Sequence, residues 1–351
     1  MLLFQPKRAS ARCLSIVFLI STTTAAGAHE AWLLTPDEIA RLAVQPIPAI
    51  FASKIILMAA AFAATAMTVA ALLAEDWIRP IEDQFAPPLY HAARLCGPVL
   101  LRVGLAAMLL LAATGGLPRH GTDIWTTPTL FVPDMQLTLV PGWAWLQQAQ
   151  IAIAITLILG FGTQLACLGV IGLSLLGPIL FGFAFWSYTP HFIAPALMLM
   201  ILGAGQISVD RLRGCDQPDH TAIATPLWRL ATILIGVGFI YLAVAHKLLQ
   251  PTLLIAILEH GAVPTFGLPI TVVALIMTGV EIVCGALLVM GRLIRPVAIT
   301  IIGAITFLAI TLGETPLFHA NLYAAMAVIA MIGARWPQSD ALQPNRKGAL
   351  A

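Results

Sequence analysis

Glu281 stands alone in an apolar stretch of membrane length. From Ile270 to Met290 no other residue carries a charge. A helix here could cross about 30 Å of hydrocarbon with Glu281 more than halfway along it. A carboxylate at that depth is costly. It persists by facing the interior of a bundle, by staying protonated, or by meeting a cation or a hydrogen-bond donor. The candidate partners are Arg229 and Arg295 towards one end, and Lys247 and His319 towards the other. Long basic side chains snorkel along apolar surface, so an arginine is the expected partner of Glu281, and Lys247 with His319 forms a separate pair. Such a set could relay protons.

The elements that must hold these residues recur along the chain. Gly291 and Arg295 follow Glu281 at the spacing with which Gly160 and Gln164 follow Gln150. His319 and His191 open the last apolar run of each half. Self-similarity of this kind predicts tandem repeats. The expected spans of the N-terminal unit are 96–114, 146–161, 164–186 and 191–205. Those of the C-terminal unit are 227–246, 270–290, 296–312 and 320–333. One further span, 50–74, precedes both. The fold class is therefore all-α: a polytopic transmembrane bundle of two four-helix units plus one preceding helix.

Composition sets the same class. The chain has 351 residues, of which 60% are hydrophobic and 10% charged, with mean hydropathy +0.93. That balance excludes an ordinary soluble domain and implies a lipid bilayer as surroundings. A net charge of +2 points to no nucleic acid, and five cysteines without a CxxC pair frame no disulfide scaffold. Cys96, Cys167 and Cys284 read as small hydrophobes.

In chain order, Lys7, Arg8 and Arg12 precede a short apolar core and then Ala26-Gly27-Ala28, the pattern of a cleaved signal peptide over 1–28. His29 would begin the mature chain. A terminal histidine can chelate copper, although chance placement behind a processing site is the simpler reading. Residues 29–49 form a strap and 50–93 the first transmembrane helix with an acidic loop. The N-terminal unit occupies 94–206, a linker 207–226, the C-terminal unit 227–335 and a tail 336–351. The segment 115–144, with Trp125, Trp143 and Trp145, suits either a membrane interface or a functional lid.

Basic residues orient the chain. Arg79, Arg94, Arg211, Arg213, Arg292, Arg295, Arg335, Arg346 and Lys347 fall in alternate loops, against Arg41, Lys54, Arg119 and Lys247 in the others. By the positive-inside rule the first set is cytoplasmic, so a multi-pass protein of the plasma (inner) membrane is expected, with an extracytoplasmic mature N-terminus and a cytoplasmic C-terminus. His29, His120, His191, His246, His260 and His319 then gather on the extracytoplasmic side, with His91 and His220 opposite. No HxxxH or HxH pair occurs, and no metal site is expected.

The C-terminal half resembles the DoxX family of four-helix membrane proteins. The residues that carry the likeness are LWRLATILIGVGFIYLAVAHKLL with Arg229 and Lys247, TGVEIVCGALLVMGRLIRP with Glu281, Gly285, Gly291 and Arg295, and GETPLFHANLY before the last helix. The N-terminal half follows the same plan more loosely, with Gln150 and Gln164 where the family pattern is charged. The resemblance, which extends to DoxD proteins, implies a membrane component of a redox system. A small extracytoplasmic reductant, such as a sulfur compound, would pass electrons to quinone, and Glu281 would relay protons with Lys247 and His319 as polar partners. No GxGxxG, CxxCH or cysteine cluster marks a flavin, haem or iron–sulfur site, so such a cofactor would sit on a soluble or peripheral redox subunit. Two other readings stand beside this one: a transporter of a small solute or ion built on parallel repeats, and a scaffold in which Glu281 and Arg295 only hold helices together.

Overall fold

The computed structural model describes residues 33–118, 123–215, 221–334 and 336. The expected signal peptide, His29, His120, His220, Arg335 and the tail from 337 onwards lie outside these residues. The described chain is helical: α1 Pro36–Ala43, α2 Ala49–Ala52, α3 Lys54–Thr114, α4 Ala144–Leu159, α5 Thr163–Phe181, α6 Thr189–Leu202, α7 Val209–Leu212, α8 Thr221–Leu242, α9 Pro251–His260, α10 Ile270–Met290, α11 Ile294–Thr311 and α12 Ala320–Ile332. Among the described residues, five helices are long and apolar enough to cross a membrane: α3, α10, α11, the run Thr163–Ser187 that begins with α5 and the run Ile223–Leu248 that includes most of α8.

α3 corrects one expectation. The acidic segment 75–93 is helical rather than a loop, and it joins the first span to the first helix of the N-terminal unit in one 61-residue helix. A straight helix of that length would reach about 90 Å. Instead the chain turns back. Phe51, just before α3, packs with Ala274 near the start of α10, and Glu75 pairs with Arg292 just past its end. Further on, Gly97 lies against Val328 late in α12 and Gly104 against Ala320 and Ala324 at its start. The first half of α3 therefore runs parallel to α10, and its second half runs antiparallel to α12. Pro80, Pro87 and Pro88 lie in the reversing stretch, where each removes a helical hydrogen bond and crowds the preceding turn. Charge alone had suggested a loop. The acidic side chains are instead accommodated by Arg292, and by Arg295 at 3.9 Å from Glu82.

The two units have matching internal packing. The second half of α3 packs on α4 as α8 packs on α10, and α5 packs on α6 as α11 packs on α12. Across the units, α3 packs on α12 and α8 on α6, while α6 and α12 touch each other. The units are thus interlocked through their first and last helices. The turns that end α4 and α10 also match. Gly160 and Gly291 adopt left-handed conformations (φ 62° and 73°), and so do Gly162 and Leu293 two residues later (φ 56° and 49°). At both glycine stops the next residue's N–H returns to a carbonyl of the last turn, the arrangement that lets a left-handed residue close a helix.

Arginines secure this end of both units. Arg102, 3% exposed, donates to the carbonyls of Leu157, Ile158, Ala204 and Ile207, each at 2.7 Å. Arg229 donates to Leu288 at 3.0 Å and to Val289, and Arg295 to Ile332 at 2.9 Å. Gln164, at the position matching Arg295, donates to Met200 at 2.9 Å. Cations at helix C-termini meet both the unpaired carbonyls and the negative end of the dipole. We call this the arginine end, and the opposite one the histidine end.

Candidate functional site: a cavity between the units

At the histidine end a cavity of about 240 Å³ lies between the two units. Met108, Tyr188, His191 and Phe192 reach it from the N-terminal unit. His246, Lys247, Glu281, Glu314, His319 and Asn321 reach it from the other. The remaining wall is largely apolar, including Phe239, Leu242, Leu254, Ile257, Ile305 and Phe318.

Lys247 and Glu281 form an ion pair across this cavity, with side chains 23% and 14% exposed. The crossing of α8 and α10 sets their reach. A Cβ on Gly236 would lie 2.6 Å from the Gly285 carbonyl oxygen, and one on Gly285 2.7 Å from that of Gly236. Two facing glycines are what bring the backbones together. From that crossing Lys247 lies about 16 Å along its helix and Glu281 about 6 Å along its own, a gap that the lysine stem closes along an apolar wall. Past Leu242 the chain widens into a π-helical turn, Ala243–Leu248, with Leu249 N–H donating to the Val244 carbonyl at 3.0 Å. Wide turns of this kind recur at functional sites. Here the turn carries the neighbouring residues His246 and Lys247, and both line the cavity.

The expected pairing is therefore corrected. Glu281 meets Lys247 rather than an arginine, because Arg229 and Arg295 are taken by helix-end carbonyls at the arginine end of the bundle. His319 pairs with Glu314, Nε2 to Oε2 at 3.1 Å, rather than with Lys247. The match of His191 with His319 is also revised. His319 immediately precedes α12 as Tyr188 immediately precedes α6, whereas His191 lies inside α6. Each of the two capping residues holds a nearby carboxylate: Tyr188 Oη donates to Asp134 Oδ2 at 3.1 Å, as His319 meets Glu314. His191 still reaches the same cavity, and its carbonyl accepts from Asn321 Nδ2 at 3.0 Å across the α6–α12 contact.

His191 and His246 are 7% and 8% exposed, and neither ring nitrogen of either has a hydrogen-bond partner among the described residues. Buried polar groups are nearly always paired, so two such imidazoles on one cavity make it the candidate site. Glu314, 8% exposed, adds a second carboxylate to the wall. Sequence reading missed Glu314, His246, Asn321 and Tyr188. The available signals were the crowding of histidines on one side and the acidic residue inside GETPLFH. Among the described residues no group of three or more His, Cys, Asp or Glu is arranged to hold a metal ion.

The polar position of the N-terminal unit is closed. Gln150, wholly buried, accepts from Phe131 N–H at 3.1 Å and donates to the Thr129 carbonyl at 2.9 Å. Leu130, Phe131 and Leu137 are 0% exposed, so the tryptophan-bearing segment plugs the unit with its middle. Trp125 and Trp145 remain exposed at 60% and 56%. No protein family, curated protein or solved structure matches the chain.

Proposed function

We propose that the cavity binds a small amphiphilic molecule and exchanges protons with it, and that a quinone headgroup in a membrane redox system is the ligand it suits. The observation that carries this reading is the convergence of two imidazoles with no hydrogen-bond partner among the described residues, the Lys247–Glu281 pair and the Glu314–His319 pair on one largely apolar cavity. An imidazole with both nitrogens unengaged can donate to a ring carbonyl or accept from a ring hydroxyl, so it serves both the oxidised and the reduced headgroup. The apolar wall takes the ring faces. Reduction of a quinone consumes two electrons and two protons. The protons would pass through Glu281, held beside Lys247, and His319, held beside Glu314. The electrons would come from a separate redox subunit, since the chain has no sequence motif for a redox cofactor. In the orientation expected from the basic residues, the histidine end faces the extracytoplasmic side, where a small reductant such as a sulfur compound would meet that subunit.

Quinone extraction from protein purified in mild detergent, followed by titration with a short-tailed ubiquinone analogue, tests the reading. Binding should be lost in His191→Ala and in His246→Ala. Glu281→Gln should keep binding and lose turnover with the partner subunit. If no quinone is retained or bound, the reading fails. Proton-driven uptake of a small solute that vanishes in Glu281→Gln would favour a transporter. A scaffold predicts neither.

A further inference from the structure

The helix that walls the cavity at its outer edge is held differently from the rest of the bundle. α9 is short, and one side of it faces inwards: Leu254, Ile257 and Leu258 line the cavity. The N-terminal strap packs against the same helix, sharing some of these side chains. Leu33 and Leu34 pack with Leu253 and Ile257, and Phe51 packs with Leu254, Ile255 and Leu258. The strap is itself well fastened. Thr35 and Glu38 form a reciprocal capping box that starts α1, with the Thr35 N–H donating to Glu38 at 2.8 Å and the Glu38 N–H to Thr35 at 3.1 Å. The strap was expected from sequence as an extracytoplasmic appendage. In the fold it is the outer layer over the site.

Both ends of α9 are irregular. On its N-terminal side lies the π-helical turn Ala243–Leu248, which bears His246 and Lys247. On its C-terminal side Ala262 and Phe266 hold left-handed conformations (φ 46° and 53°) beside Gly267 (φ 84°), a conformation that residues with a Cβ adopt only under constraint. A packed helix between a widened turn and a strained one is suited to move as a unit, since hinges are short segments at element ends that absorb dihedral change. Lys247 sits in the first of those segments and Glu281 on α10 outside them.

We propose that α9 is a lid over the cavity, that the described strap together with α2 (residues 33–52) holds it shut, and that its opening draws Lys247 away from Glu281, so that access and the ion pair are coupled. The inference rests on the reading of the cavity as the binding site, but not on what the cavity binds. Closing the lid completes the Lys247–Glu281 pair around whatever is inside. Opening it exposes the Glu281 carboxylate to water.

The test needs no ligand. In the full chain with Cys13, Cys96, Cys167, Cys215 and Cys284 replaced by alanine, Ile305→Cys puts a thiol on the cavity wall. Its labelling by a membrane-impermeant maleimide should be slow, and about tenfold faster in Leu34→Ser and in Phe51→Ala, the gain expected when about 1.4 kcal/mol of closing free energy is removed. Lys247→Met should speed labelling as well. Hydrogen exchange should rise over 251–260 in the strap variants and stay unchanged over 270–290. Labelling that is already fast in the parent, or that does not respond to the strap variants, overturns the lid. So does exchange rising equally over both segments, which would mean general loosening. Opening of the lid without quinone binding would leave this inference standing and remove the quinone.

Discussion

Gln150 and Glu281 stand at the same point of the same motif, ten residues before the glycine that ends the second helix of each unit, yet their surroundings differ. Around Gln150 the connecting segment folds inwards and gives the amide one peptide N–H and one carbonyl. Around Glu281 the connecting segment becomes α9, stays at the rim and leaves a cavity, so the carboxylate takes its partner from a lysine side chain. An amide has a donor and an acceptor and so can seal a strand of backbone, whereas a carboxylate can only accept. One unit therefore spends its polar position on closure, and the other keeps it for chemistry.

The comparison can be broken most severely through the helix crossing. Gly285→Leu would force α8 from α10, because even its Cβ meets the Gly236 carbonyl. A loss above about 3 kcal/mol or failure to fold is expected, since overpacking a tight contact has few ways to relax. A normal detergent melt would show that the glycine pair does not set the reach of Lys247. Next in size is Gln150→Glu. It places an acceptor against the Thr129 carbonyl and should cost about 2 to 3 kcal/mol; a neutral result would mean that the plug is not held by Gln150.

The reciprocal exchange should be milder. Glu281→Gln faces a cavity and a lysine, so a stability change near 1 kcal/mol is expected. In a double-mutant cycle with Lys247→Met, a coupling of about 1 to 3 kcal/mol should appear, with the double variant less damaged than the sum of the singles. Strict additivity would remove the ion pair from the account. Arg292→Ala should matter least among the charged pairs, within about 1 kcal/mol, because its side chain is 47% exposed. A larger loss would reveal the Glu75 contact as the fastening of the α3 reversal.

A smaller effect concerns acid. Asp210 accepts from the N–H groups of Gly162 and Thr163 at 2.8 and 3.0 Å. Burial pushes its carboxyl up, but those backbone hydrogen bonds, together with the Thr163 hydroxyl and the Arg213 charge, outweigh it and hold it below its ordinary value of 3.8. A depressed carboxyl contributes stability that is fully present above the ordinary value and is lost as pH falls below it. Melting followed downwards through that pH should show a decline that Asp210→Asn abolishes; an identical decline in the variant would assign the acid sensitivity elsewhere.

The helical class, the matched glycine stops and the isolated charge of Glu281 could be read from the chain because apolar length, glycine stops and isolated charges are local properties of a sequence. The matching of Gly160 with Gly291 and of Gln164 with Arg295 survives as matched turns and matched carbonyl contacts. What the chain did not disclose was decided by distance. Arg229 and Arg295 looked like partners for Glu281 because either could reach some depth of the membrane, but both are committed to helix ends, and a helix end is visible only once the helices are placed. The loop expected over 75–93 turned out helical because Arg292 and Arg295, more than 200 residues later, lie beside its acids. The cavity exists only where α6 meets α8 and α12, so its histidines come from different units. No spacing rule along the chain could have brought His191 and His246 together, because the contact between units that joins them is a property of packing.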